Sequence, residues 1–345
     1  MYRLPSRVLR FLALAIFVMS ILPARAQEPV PCVPQPEPQQ PAIQCSDFFV
    51  ATSDRVRIHV VRKVGPQPKR VSVLLIHGTW GDARTWDFPG RSVMDYLAVR
   101  GYDAYAVDLR GVGGSDKPAR GDYSTIHLLG RLNDAVTVAN YIQTKTGRAP
   151  VVMGWSEGGV IAGLLAARFP QLLSGVGLLS VAPDGFFVPG PLLELLGSLD
   201  VTEAFLPTEP EIDELVFGTD PITGKPTMSP DAEVTFFSIS DPDSLQVAIE
   251  EVFPGFFNAV PAWGNISVPA LVVDGARDLL VGQERAQALF NALGSANKRM
   301  MIYPRNSHGW FLEDNHDATM RVLDQFLSQF DHGRTSGEFT QNVAE

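Results

Sequence analysis

Val151-Val152-Met153-Gly154-Trp155-Ser156-Glu157-Gly158-Gly159 is the stretch on which the reading of this chain turns. A short apolar run enters a Gly-x-Ser-x-Gly turn. Val160-Ile161-Ala162-Gly163-Leu164-Leu165-Ala166-Ala167-Arg168-Phe169 then continues as a helix that stops before Pro170. Gly154 and Gly158 suit a bend so tight that a side chain at either place would strike the strand or the helix. The Ser156 hydroxyl is thereby pushed out above the end of a sheet. It stands at a helix N-terminus, whose N–H groups favour developing negative charge. A bare Gly-x-Ser-x-Gly is common, and a tight turn with a capping serine is the plainer alternative. The strand before it and the helix after it favour a nucleophile.

Outward from that turn the chain alternates between short apolar runs and helical patterns. On the N-terminal side, Phe48–Ala51 and Val56–Val61 read as antiparallel strands, the second alternating as a half-solvated strand does, with His59 toward solvent. Val71–Ile76 is nearly continuous apolar, as a strand covered on both faces requires. A helix over Ser92–Arg100, a strand over Ala104–Val107 and a long helix over Ser124–Thr146 follow. Beyond the turn, Gly175–Val181 is another buried strand. The alternation then stops from Asp184 to about Asn265. It resumes with a strand at Ala270–Val273, a helix at Gly282–Leu293, a strand at Arg299–Tyr303 and a helix from Asn315 to Phe330. Strands alternating with helices imply an α/β fold with a doubly wound, mostly parallel sheet.

The chain has 345 residues, 45% hydrophobic and 19% charged, which suits one large domain or one with a sizeable insertion. Its formal charge of −10 speaks against nucleic acid as a partner. Arg3, Arg7 and Arg10 precede an apolar run from Phe11 to Leu22, which ends in Ala24-Arg25-Ala26. That pattern predicts an export signal cleaved before Gln27, leaving no stable membrane insertion. The run is short for a spanning helix, the alternative being an uncleaved anchor. The expected destination is the periplasm or the extracellular space. Glu28–Pro41 is rich in Pro and Gln and reads as an extended tether. Cys32 and Cys45 are the only cysteines, and in an oxidising compartment they are candidates for a disulfide, the alternative being two unpaired thiols. The expected organisation is a signal peptide over 1–26, a tether over 27–45, a core over 46–183 and 266–331, an insertion over 184–265 and a tail over 332–345.

A serine hydroxyl needs a base, and the base needs an orienting acid. In a parallel sheet the loops at the strands' carboxyl ends share one edge, so the partners are sought after later strands. Asp278 follows the strand that starts at Ala270, and His308 follows the one that ends at Tyr303. As alternatives, Asp278 is a helix cap and His308 a surface-loop histidine. Asp274 is the rival acid, at the very end of its strand. His316 is the rival base, placed on the last helix facing solvent. For an oxyanion the donors expected are the N–H of Glu157 and that of Thr79, in His77-Gly78-Thr79-Trp80-Gly81, with Trp80 as second choice and His77 as an anchor of the loop.

These motifs together resemble the α/β-hydrolase superfamily. His77-Gly78, Asp108–Ser115, Gly154–Gly158, Gly275-x-x-Asp278 and His308 match it in order and rough spacing, over about residues 48 to 330. Gly-Trp-Ser-x-Gly-Gly is similar to small-acid methyl esterases and related carboxylesterases, although the base sits in Ser-His-Gly where many relatives have Gly-His. The resemblance implies a lid, inserted between the sixth and seventh strands, over 184–265. Trp80, Trp155, Phe186, Phe187 and Phe256 are its candidate pocket residues. Some of the insertion's aromatics, which include Phe217, Phe236 and Trp263, would form the lid's own small core. The implied function is hydrolysis of small to medium, partly apolar carboxylic esters through an acyl-enzyme, with no cofactor and no metal. A serine at the elbow excludes the aspartate chemistry of haloalkane dehalogenases and epoxide hydrolases. The acidic insertion, which carries a single lysine, Lys225, keeps open a proline-iminopeptidase-like amidase. A carbon–carbon bond hydrolase would use the same triad, and a hydrolase-fold binding protein would usually lack part of it.

Overall fold

The computed structural model describes residues 42–69, 71–79, 81–117, 126–184, 216–220, 222–239 and 260–331. The expected signal peptide, Cys32, Trp80, Phe186, Phe187, Phe256, most of the expected lid and the tail lie outside the described residues.

The described residues build an eight-stranded sheet in the order β1-β2-β4-β3-β5-β6-β7-β8. The strands are β1 Gln44–Ala51, β2 Arg57–Val64, β3 Ser72–Ile76, β4 Asp103–Val107, β5 Val151–Trp155, β6 Gly175–Leu179, β7 Ala270–Gly275 and β8 Lys298–Tyr303. β1 and β2 form an antiparallel hairpin, and β2 pairs antiparallel with β4. From β4 to β8 every pairing is parallel. The central strands β3, β5 and β6 are buried at every residue. Their unbroken apolar runs follow from helices covering both faces.

The helices are α1 Val93–Val99, α2 Leu128–Thr146, α3 Glu157–Arg168, α4 Pro230–Ile239, α5 Gly282–Ala292, α6 His316–Thr319 and α7 Arg321–Leu327. Ile76, Val152 and Val272 point into the core under α2, α3 and α5. Leu75, Met153 and Val273 point into the opposite one, with α1 and α7. The period-two alternation of strand side chains is what divides them.

Two sequence expectations are corrected, for His59 and for the last helix, and three aromatics of the insertion find places in the main cores. His59 is 4% exposed, not solvent-facing, because β2 is an inner strand and the 108–116 turn folds over it. Its backbone N–H donates to Ser115 Oγ at 2.8 Å, and its Nδ1 lies 2.8 Å from Asp108 Oδ2. The final helix is broken at Thr319, whose carbonyl accepts from the Tyr303 hydroxyl at 2.8 Å, while Leu323 N–H turns to Met320. Trp263 belongs to the main core, beside Gly163 of α3, and donates from Nε1 to Pro183 O at 2.7 Å. Phe217 and Phe236 meet edge to face at 5.0 Å, and both join the core that contains Trp155 and Trp310.

Candidate active site

Ser156 joins β5 to α3 with φ 58° and ψ −124°, a conformation costly for a residue with a side chain. Local packing enforces it. Ser156 N–H donates to Leu179 O of β6, and Ser156 O accepts from Gly159 N–H, both at 2.9 Å. A methyl on Gly154 would sit 2.0 Å from Gly158 O, and one on Gly158 would sit 2.2 Å from Ile76 O. Only glycine lets the strand, the helix and β3 approach this closely. The strained elbow is therefore built as its sequence predicts.

At the same edge of the sheet, Asp278 and His308 meet. His308 Nδ1 lies 2.6 Å from Asp278 Oδ2, with both side chains buried. Asp278 Oδ1 accepts from Leu280 N–H at 2.7 Å and Val281 N–H at 2.9 Å. Burial alone would raise the Asp278 carboxyl, but the His308 ring and these donors hold it below its ordinary value. The carboxylate oxygen on Nδ1 orients the ring through that nitrogen. The two rings of Trp155 and His308 lie 5.3 Å apart, which brings the base beside the elbow residue that precedes Ser156. Among the described residues the Ser156 hydroxyl makes no hydrogen bond.

The loop after β3 lies against the elbow from the other side. A methyl on Gly78 would come within 3.1 Å of Ser156 Cβ. His77 is fully buried, its Nδ1 2.7 Å from Gly78 O and its Nε2 3.2 Å from Leu109 N–H. Burial lowers its basicity, so Nδ1–H donates and Nε2 accepts, and the ring pins the loop as a neutral group. The N–H groups of Thr79 and Glu157 have no hydrogen-bond partner among the described residues. Two unspent donors thus lie on the residues next to Gly78 and Ser156, and an oxyanion site requires such a pair.

Several supporting groups were not legible as such in the sequence. The Trp155 indole N–H and the Ser180 hydroxyl both donate to His308 O, each at 2.9 Å. Trp155, expected to line a pocket, is 3% exposed and holds the base instead. Trp155→Phe is expected to cost about 1 kcal/mol for the lost bond, and more if the smaller ring leaves a void. Urea unfolding checks the first effect, and a fall in kcat at unchanged KM would show that the base has shifted. Ser180 has φ 53°, but nothing in the pattern around it announces a role.

Glu313 fixes the loop before the base. It accepts from Ser307 N–H and from Asn306 Nδ2, both at 2.7 Å. Burial pushes its carboxyl up to about 8. An unfolded glutamate ionises near about 4.3. Between these values the folded chain keeps a proton that the unfolded chain has lost, so stability falls as pH rises from about 4.3 to about 8. Glu313→Gln removes that titration. Its melting temperature is expected to decline less than that of the wild type between pH 5 and 8, as scanning calorimetry would read.

Beneath Ser156 lies a second surprise. Glu157 turns its side chain inward to Arg131 of α2, with Arg131 Nη1 2.5 Å from Glu157 Oε1 and both residues wholly buried. Among the described residues, Arg131 Nε and Nη2 and Glu157 Oε2 have no hydrogen-bond partner. The available signal was a charge on the apolar stripe of α2, between Leu128, Leu132 and Ala135. Asp274 had a similar signal, a charge closing an apolar strand, and it is fully buried. His316 opens α6 as expected, but it is half-buried, its Nδ1 3.2 Å from Glu313 O, and it is not paired with Ser156 or Asp278. Cys45 is disulfide-bonded.

Over residues 73–322 the chain matches the alpha/beta hydrolase family, and it belongs to that family. Among curated proteins it is 31% identical over 140 residues to Protein ABHD14A of Danio rerio, a match that covers 38% of this chain and 48% of that protein. It is 37% identical over 109 residues to an uncharacterized protein of Mycobacterium tuberculosis, covering 32% of this chain and 28% of the other. The matches thus span about half the length of these curated relatives, or less. Among solved structures, an esterase from Exiguobacterium antarcticum aligns with a TM-score of 0.62 at 20% identity, covering 81% of this chain and 99% of that one. A thermophilic esterase from Thermogutta terrifontis aligns at 0.63 and 16%, covering 83% and 99%. The enol-lactonase from Burkholderia xenovorans aligns at 0.62 and 19%, covering 81% and 100%. At these identities the likeness is one of fold.

Proposed function

We propose that this chain is an exported serine hydrolase that cleaves carboxylic esters through an acyl-enzyme. The observation that carries the reading is the Asp278–His308 pair, joined at 2.6 Å on the sheet edge where Ser156 sits in its strained elbow. Ser156 Oγ attacks the acyl carbon while His308 Nε2 takes its proton. Asp278 holds the ring's orientation and stabilises the imidazolium. The N–H groups of Thr79 and Glu157 receive the oxyanion. His308 then returns the proton to the leaving alcohol, and water, activated by the same base, releases the acid. Serine-to-histidine bonds of this kind commonly tighten only in the complex with substrate.

The insertion over 184–265 is proposed as a lid, with Trp80, Phe186, Phe187 and Phe256 toward an apolar acyl pocket. Residues 1–26 are proposed as the export signal. Ester substrates are further supported by the fold neighbours named esterase and enol-lactonase, an enol-lactone being itself an ester. The test is a panel of short p-nitrophenyl esters beside proline p-nitroanilide, run on the form that starts at Gln27. The reading expects ester turnover well above anilide turnover. A protein that cleaves the anilide faster than a matched ester is an amidase, and one that cleaves neither contradicts the reading.

A further inference from the structure

Asp274 is a carboxyl for which the mechanism above has no use. It closes β7, is fully buried, and takes one hydrogen bond, from Gly275 N–H to Oδ1 at 2.9 Å. Its Oδ2 is buried with no donor among the described residues. Asp278 stands on the tight turn that leaves β7, where its N–H donates to Gly275 O at 3.1 Å, so two buried carboxyls share one turn and the Asp278 charge bears on Asp274. Two buried carboxylates side by side do not both ionise at neutral pH. Which one keeps the charge is decided by the donors around each. Asp278 has the N–H groups of Leu280 and Val281 and the His308 ring. Asp274 has one N–H and an orphan oxygen. A proton placed on that oxygen would satisfy it and at the same time give Asp278 a further donor.

We propose that Asp274 is a positioning residue, a neutral carboxylic acid whose hydroxyl donates to Asp278 and fixes that carboxylate against His308. Burial and the Asp278 charge both push the Asp274 carboxyl well above its ordinary value, in agreement. The charged or titratable groups that bear on it are Asp278, from the turn after β7, and behind it His308, from the turn after β8. The inference deepens the acid–base pair of the proposed hydrolase and rests on that reading for its catalytic consequence.

The experiment compares the full chain with Asp274→Asn, which keeps a donor without a charge, and Asp274→Val, which keeps neither donor nor acceptor. The His308 ring titration is followed by NMR, assigned with His308→Gln, and kcat and KM are measured on a p-nitrophenyl ester. Asp274→Asn is expected to leave the His308 midpoint within about a third of a unit and kcat within about threefold. Asp274→Val is expected to raise the midpoint, since Asp278 loses a donor, and to lower kcat at least tenfold with little change in KM. A fall in the midpoint of about one unit or more in Asp274→Asn would mean that a charge had been removed, and would overturn the proposal. An Asp274→Val protein with wild-type titration and kcat would overturn it as well. If Asp274→Val does not fold, infrared difference spectra of wild type against Asp274→Asn decide the matter. The carbonyl stretch of a protonated carboxyl must be present in the wild type at neutral pH and missing from the variant, and its absence from the wild type refutes the proposal. The NMR and infrared readouts need no turnover. A wild type that cleaves no ester therefore defeats the hydrolase reading alone, and these outcomes defeat this inference alone.

Discussion

Replacing Ser156 with alanine is expected to lower kcat on a p-nitrophenyl ester by on the order of 10⁴-fold or more, with KM changed little. The substitution removes one oxygen and leaves the elbow intact. The φ of 58° is held by Leu179, Gly159 and the close approach of β3, none of which touches the hydroxyl. Alanine relieves nothing there, so the variant should unfold in urea within about 0.5 kcal/mol of the wild type. That pairing of lost activity with kept stability is what separates a nucleophile from a structural serine. The same variant should resist labelling by a fluorophosphonate that modifies the wild type. Wild-type turnover in Ser156→Ala would move the chemistry elsewhere, and a large loss of stability would make Ser156 a structural residue.

Replacing Arg131 with methionine is expected to destabilise the fold by about 3–5 kcal/mol. The guanidinium and the Glu157 carboxylate are both wholly buried, and each is the other's charged partner in a hydrogen bond of 2.5 Å. Removing the arginine strands a carboxylate in the first turn of α3, one residue from the serine. Removing both charges is a different matter, because the desolvation of the pair disappears with them. Arg131→Met combined with Glu157→Leu should recover most of the loss, since replacing a buried pair with apolar groups is often neutral or better. Urea unfolding of the two single variants and the double variant measures the coupling. Three orphaned polar atoms on the pair are a further reason to expect that recovery. A single variant within about 1 kcal/mol of the wild type would show that the pair carries little.

The architecture was legible because its signals are local and repeated. Val71–Ile76, Val151–Met153 and Gly175–Val181 could be read as covered strands from their apolar runs alone, and the elbow from two glycines and a serine. The partners Asp278 and His308 were legible because a parallel sheet delivers its loops to one edge. Less legible was everything that depends on a partner distant in sequence. His59 sits on an alternating strand, and only the turn at Ser115, folded over it, makes it a buried residue. Trp155 is an aromatic beside a serine, which in the sequence suggests a pocket. Its actual use depends on a carbonyl 153 residues away. The break at Thr319 depends on a tyrosine hydroxyl from β8 and leaves no mark in the helical pattern. Arg131 and Asp274 were visible as charges in apolar company, but their partners were not.

The most direct measurement is the mass of the protein quenched in acid during turnover of a p-nitrophenyl ester. The account predicts a population heavier by one acyl group, with the added mass mapped to the peptide that carries Ser156 and absent from Ser156→Ala. An acyl group found on any other residue, or steady turnover with no acylated protein and no burst of p-nitrophenol, would contradict it.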